Sequence, residues 1–113
     1  FIQYTYARIQ SLLRKNTNNK SFKDISISEK ERNIIVQLND YPNVLLNAYS
    51  NLNPSLIANY VYDLVKLYNS FYQSHTVLGN NDINSFRILL SKKVSEYIKK
   101  SMSLLGVSVP DRM

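Results

Sequence analysis

Cysteine and tryptophan are absent from this 113-residue chain, and glycine and proline are scarce, at two and three. Without cysteine there is no disulfide, no thiolate nucleophile and no zinc finger, which suits a reducing compartment such as the cytoplasm. So few backbone breakers leave room for long helices with short connections. No apolar run approaches the roughly 20 residues that a bilayer-spanning helix needs, so no membrane partner is expected. The chain opens on Phe1 with neither a basic leader nor a small-residue cleavage site, so no secretory signal is read. It is expected to be a piece of a longer protein.

Acid is also in short supply. Eight acidic residues stand against 14 basic ones, for a net charge of +6, while 44% of residues are hydrophobic and 19% charged. That balance fits one folded domain with a single core. Residues 1–23 carry Arg8, Arg14, Lys15, Lys20 and Lys23 and no acid, and the stretch 86–100 sets Arg87, Lys92, Lys93, Lys99 and Lys100 against Glu96 alone. The segment 41–65 holds one charge, Asp63. Basic ends around a neutral middle suit a polyanion partner, although a plain solvated surface accounts for the same residues. The asparagines of "NTNNK" are read as a reflection of gene base composition.

Apolar spacing predicts an all-α bundle of about five helices. The first runs to about Lys15, with Ile2, Tyr6, Ile9 and Leu13 on its buried side and Tyr4, Arg8, Ser11 and Lys15 on the opposite side. A polar loop follows. Ser28 with Glu31 three residues on predicts a capping box opening the second helix. Asp40 with Pro42 and Asn53 with Pro54 mark two further starts. In the helix from Pro54 to about Ser74, Ile57, Val61, Leu64, Tyr68 and Phe71 form the stripe. A last helix runs from about Asp82 to Leu105, with Ile83, Phe86, Leu90, Val94, Tyr97 and Leu104 expected inside and its lysines outside. Gly106 is placed to end it in a left-handed cap, after which "VSVPDRM" is expected to lie against the bundle as an ordered tail.

Chemistry is hard to find. The one histidine, His75, has no cysteine or suitably spaced carboxylate beside it and reads as a helix-end residue. There is no nucleophile elbow, paired carboxylate or glycine-rich phosphate loop, so no catalytic residue and no cofactor are assigned to this domain. What stands out is nine tyrosines. Tyrosine suits half-buried packing, and Tyr60, Tyr68 and Tyr97 read as structural. The same ring also suits stacking of unpaired bases, and arginine beside it can pair with phosphate or a base edge.

Four motifs in linear order sharpen this: "QYTYAR" at the start, "FYQSHTVL" at 71–78, "FRILLS" at 86–91 and "LLGVSVPDRM" at the end. Together, over residues 1–113, they resemble the C-terminal DALR-type anticodon-binding domain of arginyl-tRNA synthetase. Related domains occur in cysteinyl- and glycyl-tRNA synthetases, and the Pro110–Met113 ending argues against those. The resemblance implies an all-α domain that grips the anticodon stem–loop of arginine tRNA. It also implies a Rossmann-type catalytic domain, absent from this chain, that activates arginine with ATP and magnesium in the same polypeptide. It assigns RNA contact to Tyr4 and Arg8 of "QY-x-x-AR", to Tyr72 of the "FY" pair and to the terminal Met113. A large side chain often follows that pair by a few residues in the family; His75 and Thr76 are the candidates here, and His75 is added. Arg87 matches the family arginine of "FRILLS" but points inward, which implies a helix-positioning role. Lys15 is added on local charge alone. Tyr6 stands where many members carry histidine.

The rival reading is a non-catalytic helical interaction or dimerisation module, which needs a contiguous exposed apolar patch and no Tyr–Arg cluster facing water. A DNA-binding helix-turn-helix fits less well, because no helix carries base-reading side chains along one polar face. Convergence of Tyr4, Arg8, Tyr72 and Met113 on one surface separates the first two readings.

Overall fold

In the computed structural model, residues 1–110 are described, and Asp111–Met113, hence the expected contact at Met113, lie outside them. Five helices make up the described chain: α1 (Ile2–Lys15), α2 (Glu29–Asn39), α3 (Tyr41–Ser50), α4 (Ser55–Ser74) and α5 (Asp82–Leu104). Only Asp40 separates α2 from α3, so these two can equally be seen as one bent rod. The all-α expectation is met, and each helix starts within a residue or two of its predicted signal.

The ends follow local chemistry. At Ser28 the capping box is complete: the Ser28 hydroxyl accepts from the Glu31 N–H at 3.2 Å, and the Glu31 carboxylate accepts from the Ser28 N–H at 2.8 Å. Asn81 and Asn84 build a second such box at the start of α5. After α5 the chain closes in a Schellman motif. Val107 N–H reaches Met102 O at 2.8 Å, Gly106 N–H reaches Ser103 O at 3.0 Å, and Gly106 sits at φ +78°.

Helix α4 is the axis of the bundle and packs against all four of the others. Its residues Val61, Leu64, Val65, Tyr68 and Phe71 are buried, meeting Ile9 of α1, Ile34 of α2 and Val94 and Ile98 of α5 in one core. Two tyrosine hydroxyls pair across helices. Ser91 Oγ donates to Arg87 O at 2.8 Å, so Tyr68 must be the donor in its 2.8 Å bond to Ser91. Tyr60 Oη donates to Gln37 O at 2.7 Å, and Gln37 Nε2 returns a bond to Tyr60 O at 3.3 Å.

Three expectations change. The inner face of α5 is Leu90, Val94, Ile98 and Met102 with Ser91, Ser95 and Ser101, whereas Phe86 and Tyr97 are half-buried and Leu104 is 60% exposed. Serine counts as polar in a hydrophobicity pattern. Here it is the small residue that lets helices approach, with Ser91 and Ser95 returning their hydroxyls to their own helix at Arg87 O and Lys92 O. Ile57 is only half-buried and lines an apolar groove with Leu45 and Leu104. Finally, the asparagines after α1 have a structural task. Asn18 donates to Gly79 O at 2.8 Å and to Asn81 O at 3.2 Å, and accepts from Ser85 Oγ at 3.1 Å, pinning the loop to the α4–α5 turn.

Of the segment after Gly106, residues 107–110 are described and lie against the bundle: Gln3 Nε2 donates to Ser108 O at 3.2 Å, and Val109 packs on the core.

Candidate nucleic-acid interface

Helix α1 buries Thr5, Tyr6, Ala7, Ile9 and Leu12, which turns Tyr4 and Arg8 towards its neighbour α4 rather than into the core. One turn separates them on the same face of the helix. On α4, burial of Tyr68 and Phe71 places Tyr72 at the edge of the core, beside Arg8. The Arg8 guanidinium carbon stands 4.6 Å from the Tyr72 ring centre and 5.2 Å from that of Tyr4. Two rings from different helices therefore flank one planar cation, an arrangement worth roughly 0.5–2 kcal/mol for each ring depending on exposure.

A polar relay fixes the guanidinium from behind. Arg8 donates from an Nη to Asn69 Oδ1 at 3.4 Å, and Asn69 Nδ2 donates to Thr5 Oγ1 at 2.9 Å. Arginine has only donors, so the amide oxygen must face Arg8 and the amide nitrogen must face the buried Thr5. One asparagine thereby ties α1 to α4 and orients the cation.

Around these groups lies an open groove of about 430 Å³. Tyr4, Arg8, Ser11, Arg14, Lys15 and Tyr72 line it over a floor that includes Ala7 and Leu12, and among the described residues no acidic side chain lines it. Arg8 and Lys15, with no carboxylate among the described lining residues, make this an anion-attracting surface. Arg14 and Lys15 also occupy the last turn of α1, where cations complement the helix dipole. Tyr4 remains 54% exposed, so a ring face is accessible at the mouth. The combination offers aromatic stacking, a planar fork of donors and phosphate-attracting charge within one depression.

The structure thus brings together Tyr4, Arg8, Tyr72 and Lys15 of the sequence-predicted set. His75 stands apart from the groove lining, at the end of α4. Its Nδ1 lies 2.9 Å from Ser74 Oγ and 3.1 Å from Phe71 O, and its Nε2 lies 2.9 Å from Ser28 Oγ. Its ring lies 4.9 Å from that of Phe71. Sequence reasoning missed Asn69 and Thr5. A mid-helix asparagine three residues before Tyr72 was the available signal, since that spacing puts both on one face.

Arg87 behaves as the helix-positioning residue expected of it. Its Nε donates to Glu31 Oε2 at 2.9 Å and an Nη donates to Thr76 O at 3.0 Å, joining α5 to the capping box of α2 and to the α4–α5 turn. Glu31 is fully buried. Burial pushes its carboxyl pKa upward, but the Ser28 N–H, the Arg87 guanidinium and the Ser28 hydroxyl outweigh it, and the net shift is downward. Among the described residues no histidine, cysteine or carboxylate cluster could hold a metal, and no helix is long and apolar enough to cross a membrane.

Solved structures share this architecture. The bundle superposes on Thermus thermophilus arginyl-tRNA synthetase with a TM-score of 0.89 at 23% identity, covering 99% of this chain and 20% of that one. The arginyl-tRNA synthetase of Plasmodium falciparum gives a TM-score of 0.84 at 31% identity, covering 99% of this chain and 21% of that one. The fold is therefore that of a helical domain found within aminoacyl-tRNA synthetases.

The chain belongs to the DALR anticodon binding domain family, whose model matches residues 2–113. Among its relatives, the arginine–tRNA ligase of Flavobacterium psychrophilum is 53% identical over 116 residues, covering all of this chain and 19% of the relative. That of Phocaeicola vulgatus is 46% identical over 121 residues, covering all of this chain and 20% of the relative. The chain spans about a fifth of the length of the curated relatives it matches.

Proposed function

We propose that this domain binds the anticodon stem–loop of arginine tRNA, positioning it for ATP-dependent attachment of arginine by a catalytic domain of the same polypeptide in the cytoplasm. The observation that carries the reading is the Arg8 guanidinium flanked by the Tyr4 and Tyr72 rings in a groove that Lys15 also lines. A loop base leaves its stack and lies on a tyrosine ring, while Arg8 directs its remaining N–H groups to a base edge or phosphate. Lys15 adds salt-sensitive attraction to the backbone. Met113, and His75 at the end of α4, complete the proposed contact set. ATP with magnesium acts in the catalytic domain, and this domain contributes no catalytic residue.

The experiment is binding of a labelled arginine-tRNA anticodon stem–loop to the full-length parent enzyme and to its Arg8→Ala and Tyr72→Ala variants. Each is expected to weaken binding about tenfold or more, as loss of one base–aromatic or charge-assisted contact of about 1–3 kcal/mol implies. Unchanged affinity in both removes the site.

A protein-docking surface has its own support elsewhere on the bundle. Tyr49 is 81% and Leu52 86% exposed, and with Leu45, Ile57 and Leu104 they line a largely apolar groove. In this reading that groove packs against another part of the parent synthetase, and Leu52→Lys lowers the melting temperature of the full-length enzyme. An unshifted melt leaves the groove without that partner.

A further inference from the structure

The groove is one end of a longer surface. Contacts between α1 and α4 show that the two helices run side by side in the same direction: Phe1 meets Tyr62 with ring centres 5.8 Å apart, Asn69 bonds Thr5 at 2.9 Å, and Arg8 stands 4.6 Å from Tyr72. Phe1, Tyr4 and Arg8 share one face of α1 at spacings of about one turn, and Tyr62, Lys66, Asn69 and Tyr72 share one face of α4. The ten steps from Tyr62 to Tyr72 at a rise of about 1.5 Å each make a strip of about 15 Å.

At its far end the strip repeats the chemistry of the groove. Tyr62 is 48% exposed, and the Lys66 ammonium lies 5.3 Å from its ring centre. Asp63, next in the chain after Tyr62, lines a separate depression with Asp40, Asn59 and Tyr60. A ring with a cation at its side, two to three turns from a second such pair on the same seam, matches the alternation of flat bases and charged phosphates along unpaired RNA.

We infer that Tyr62 and Lys66 form a second nucleotide-binding subsite, which takes a stacked base and its phosphate from the same single-stranded RNA segment that occupies the groove. This extension rests on the RNA-binding reading proposed above, which supplies the ligand class and the first contact. Tyr62 supplies the ring face and Lys66 the backbone contact. Because both side chains are surface groups outside the core, their substitution leaves the fold intact.

The test uses the full-length parent enzyme and a fluorescent arginine-tRNA anticodon stem–loop, titrated at several salt concentrations. Tyr62→Leu is expected to weaken binding about five- to tenfold and Tyr62→Phe to restore it, because stacking needs a ring but not the hydroxyl. Lys66→Ala is expected to reduce the slope of log affinity against log salt by about 0.7, one single-strand phosphate contact. Arg8→Ala serves as the reference. If Arg8→Ala weakens binding while Tyr62→Leu and Lys66→Ala match the parent, the second subsite is overturned and the groove stands. If all three match the parent, both fall. Loss at Tyr62 and Lys66 with no loss at Arg8 upholds the subsite and removes the groove.

Discussion

Asn69 stands between Arg8 and Thr5, accepting from the guanidinium at 3.4 Å and donating to the hydroxyl at 2.9 Å. Arg8 is therefore oriented by a neighbouring helix rather than by its own. A guanidinium held by an amide and two rings loses less freedom when it meets a ligand than a surface arginine does.

Asn69→Asp tests that relationship without removing bulk. The new carboxylate pairs with Arg8 and offsets its charge while keeping the α1–α4 tie. Thermal stability is expected to stay within about 1 kcal/mol of the parent, while affinity for the stem–loop falls about tenfold and its salt dependence becomes shallower. Equal affinity in parent and variant would show that the charge of Arg8 is not used by the ligand.

Glu31 and Arg87 form a buried ion pair that also completes a helix cap. Glu31→Gln leaves Arg87 without its anion and weakens the capping box, at an expected loss of about 2–4 kcal/mol in chemical denaturation. The pH response has a definite sign. The folded-state pKa of Glu31 lies below its ordinary value of 4.5, so the unfolded chain binds the proton first as pH falls. Its contribution is complete above about 4.5 and lost as pH drops through the lower folded value. Melting curves from neutral pH to about pH 2.5 should be flatter below 4.5 for the variant than for the parent.

Tyr68 behaves in the opposite sense. Burial raises its pKa from 10.0 to about 12, the Ser91 hydrogen bond opposing that rise only in part. The group therefore favours the folded state below pH 10 and loses that contribution as pH climbs towards 12. Tyr68→Phe should cost about 1 kcal/mol at neutral pH for the lost bond to Ser91. It should also reduce the fall in stability above pH 10, though not abolish it, because burial raises the pKa of Tyr60 and Tyr41 as well.

Gly79 and Gly106 are needed for different reasons, and alanine separates them. At Gly79 a Cβ would sit 2.5 Å from the Asn84 amide oxygen. That amide also bonds Asn81 N, Thr76 O and Val77 O, so it cannot swing aside. At Gly106 nothing crowds the Cβ, and only the φ of +78° opposes it. Gly106→Ala is expected to cost about 1 kcal/mol. Gly79→Ala should cost more and disturb the start of α5, seen as lost amide protection at Asn84 and Ser85 in hydrogen exchange.

Much of this molecule could be read from local rules. Ser28 with Glu31 announced a capping box three residues wide, and Gly106 announced a left-handed cap; both are present because they depend on neighbours in sequence. Part of the face of α1 was legible for the same reason: burying Tyr6 and Ile9 keeps Tyr4 and Arg8 out of the core, although their turn towards α4 was not legible. The inner face of α5 was not legible, because the serines that line it are chosen for size at a close contact that exists only after packing. Asn18 and Asn69 were invisible for a related reason. An asparagine is worth noticing only when its donors and acceptors are matched, and their partners Gly79, Ser85 and Thr5 lie far along the chain.

From its residues alone this chain was bound to form amphipathic helices with these ends, to carry its positive charge at its two extremities, and to present its four motifs in their linear order. Those properties follow from interactions reaching no further than a helical turn. Which side chains gather into a groove was decided only when α1 settled alongside α4. Tyr4, Arg8 and Tyr72 meet because the buried stripes of two helices must face the same core, and that demand turns their polar edges towards each other at one seam.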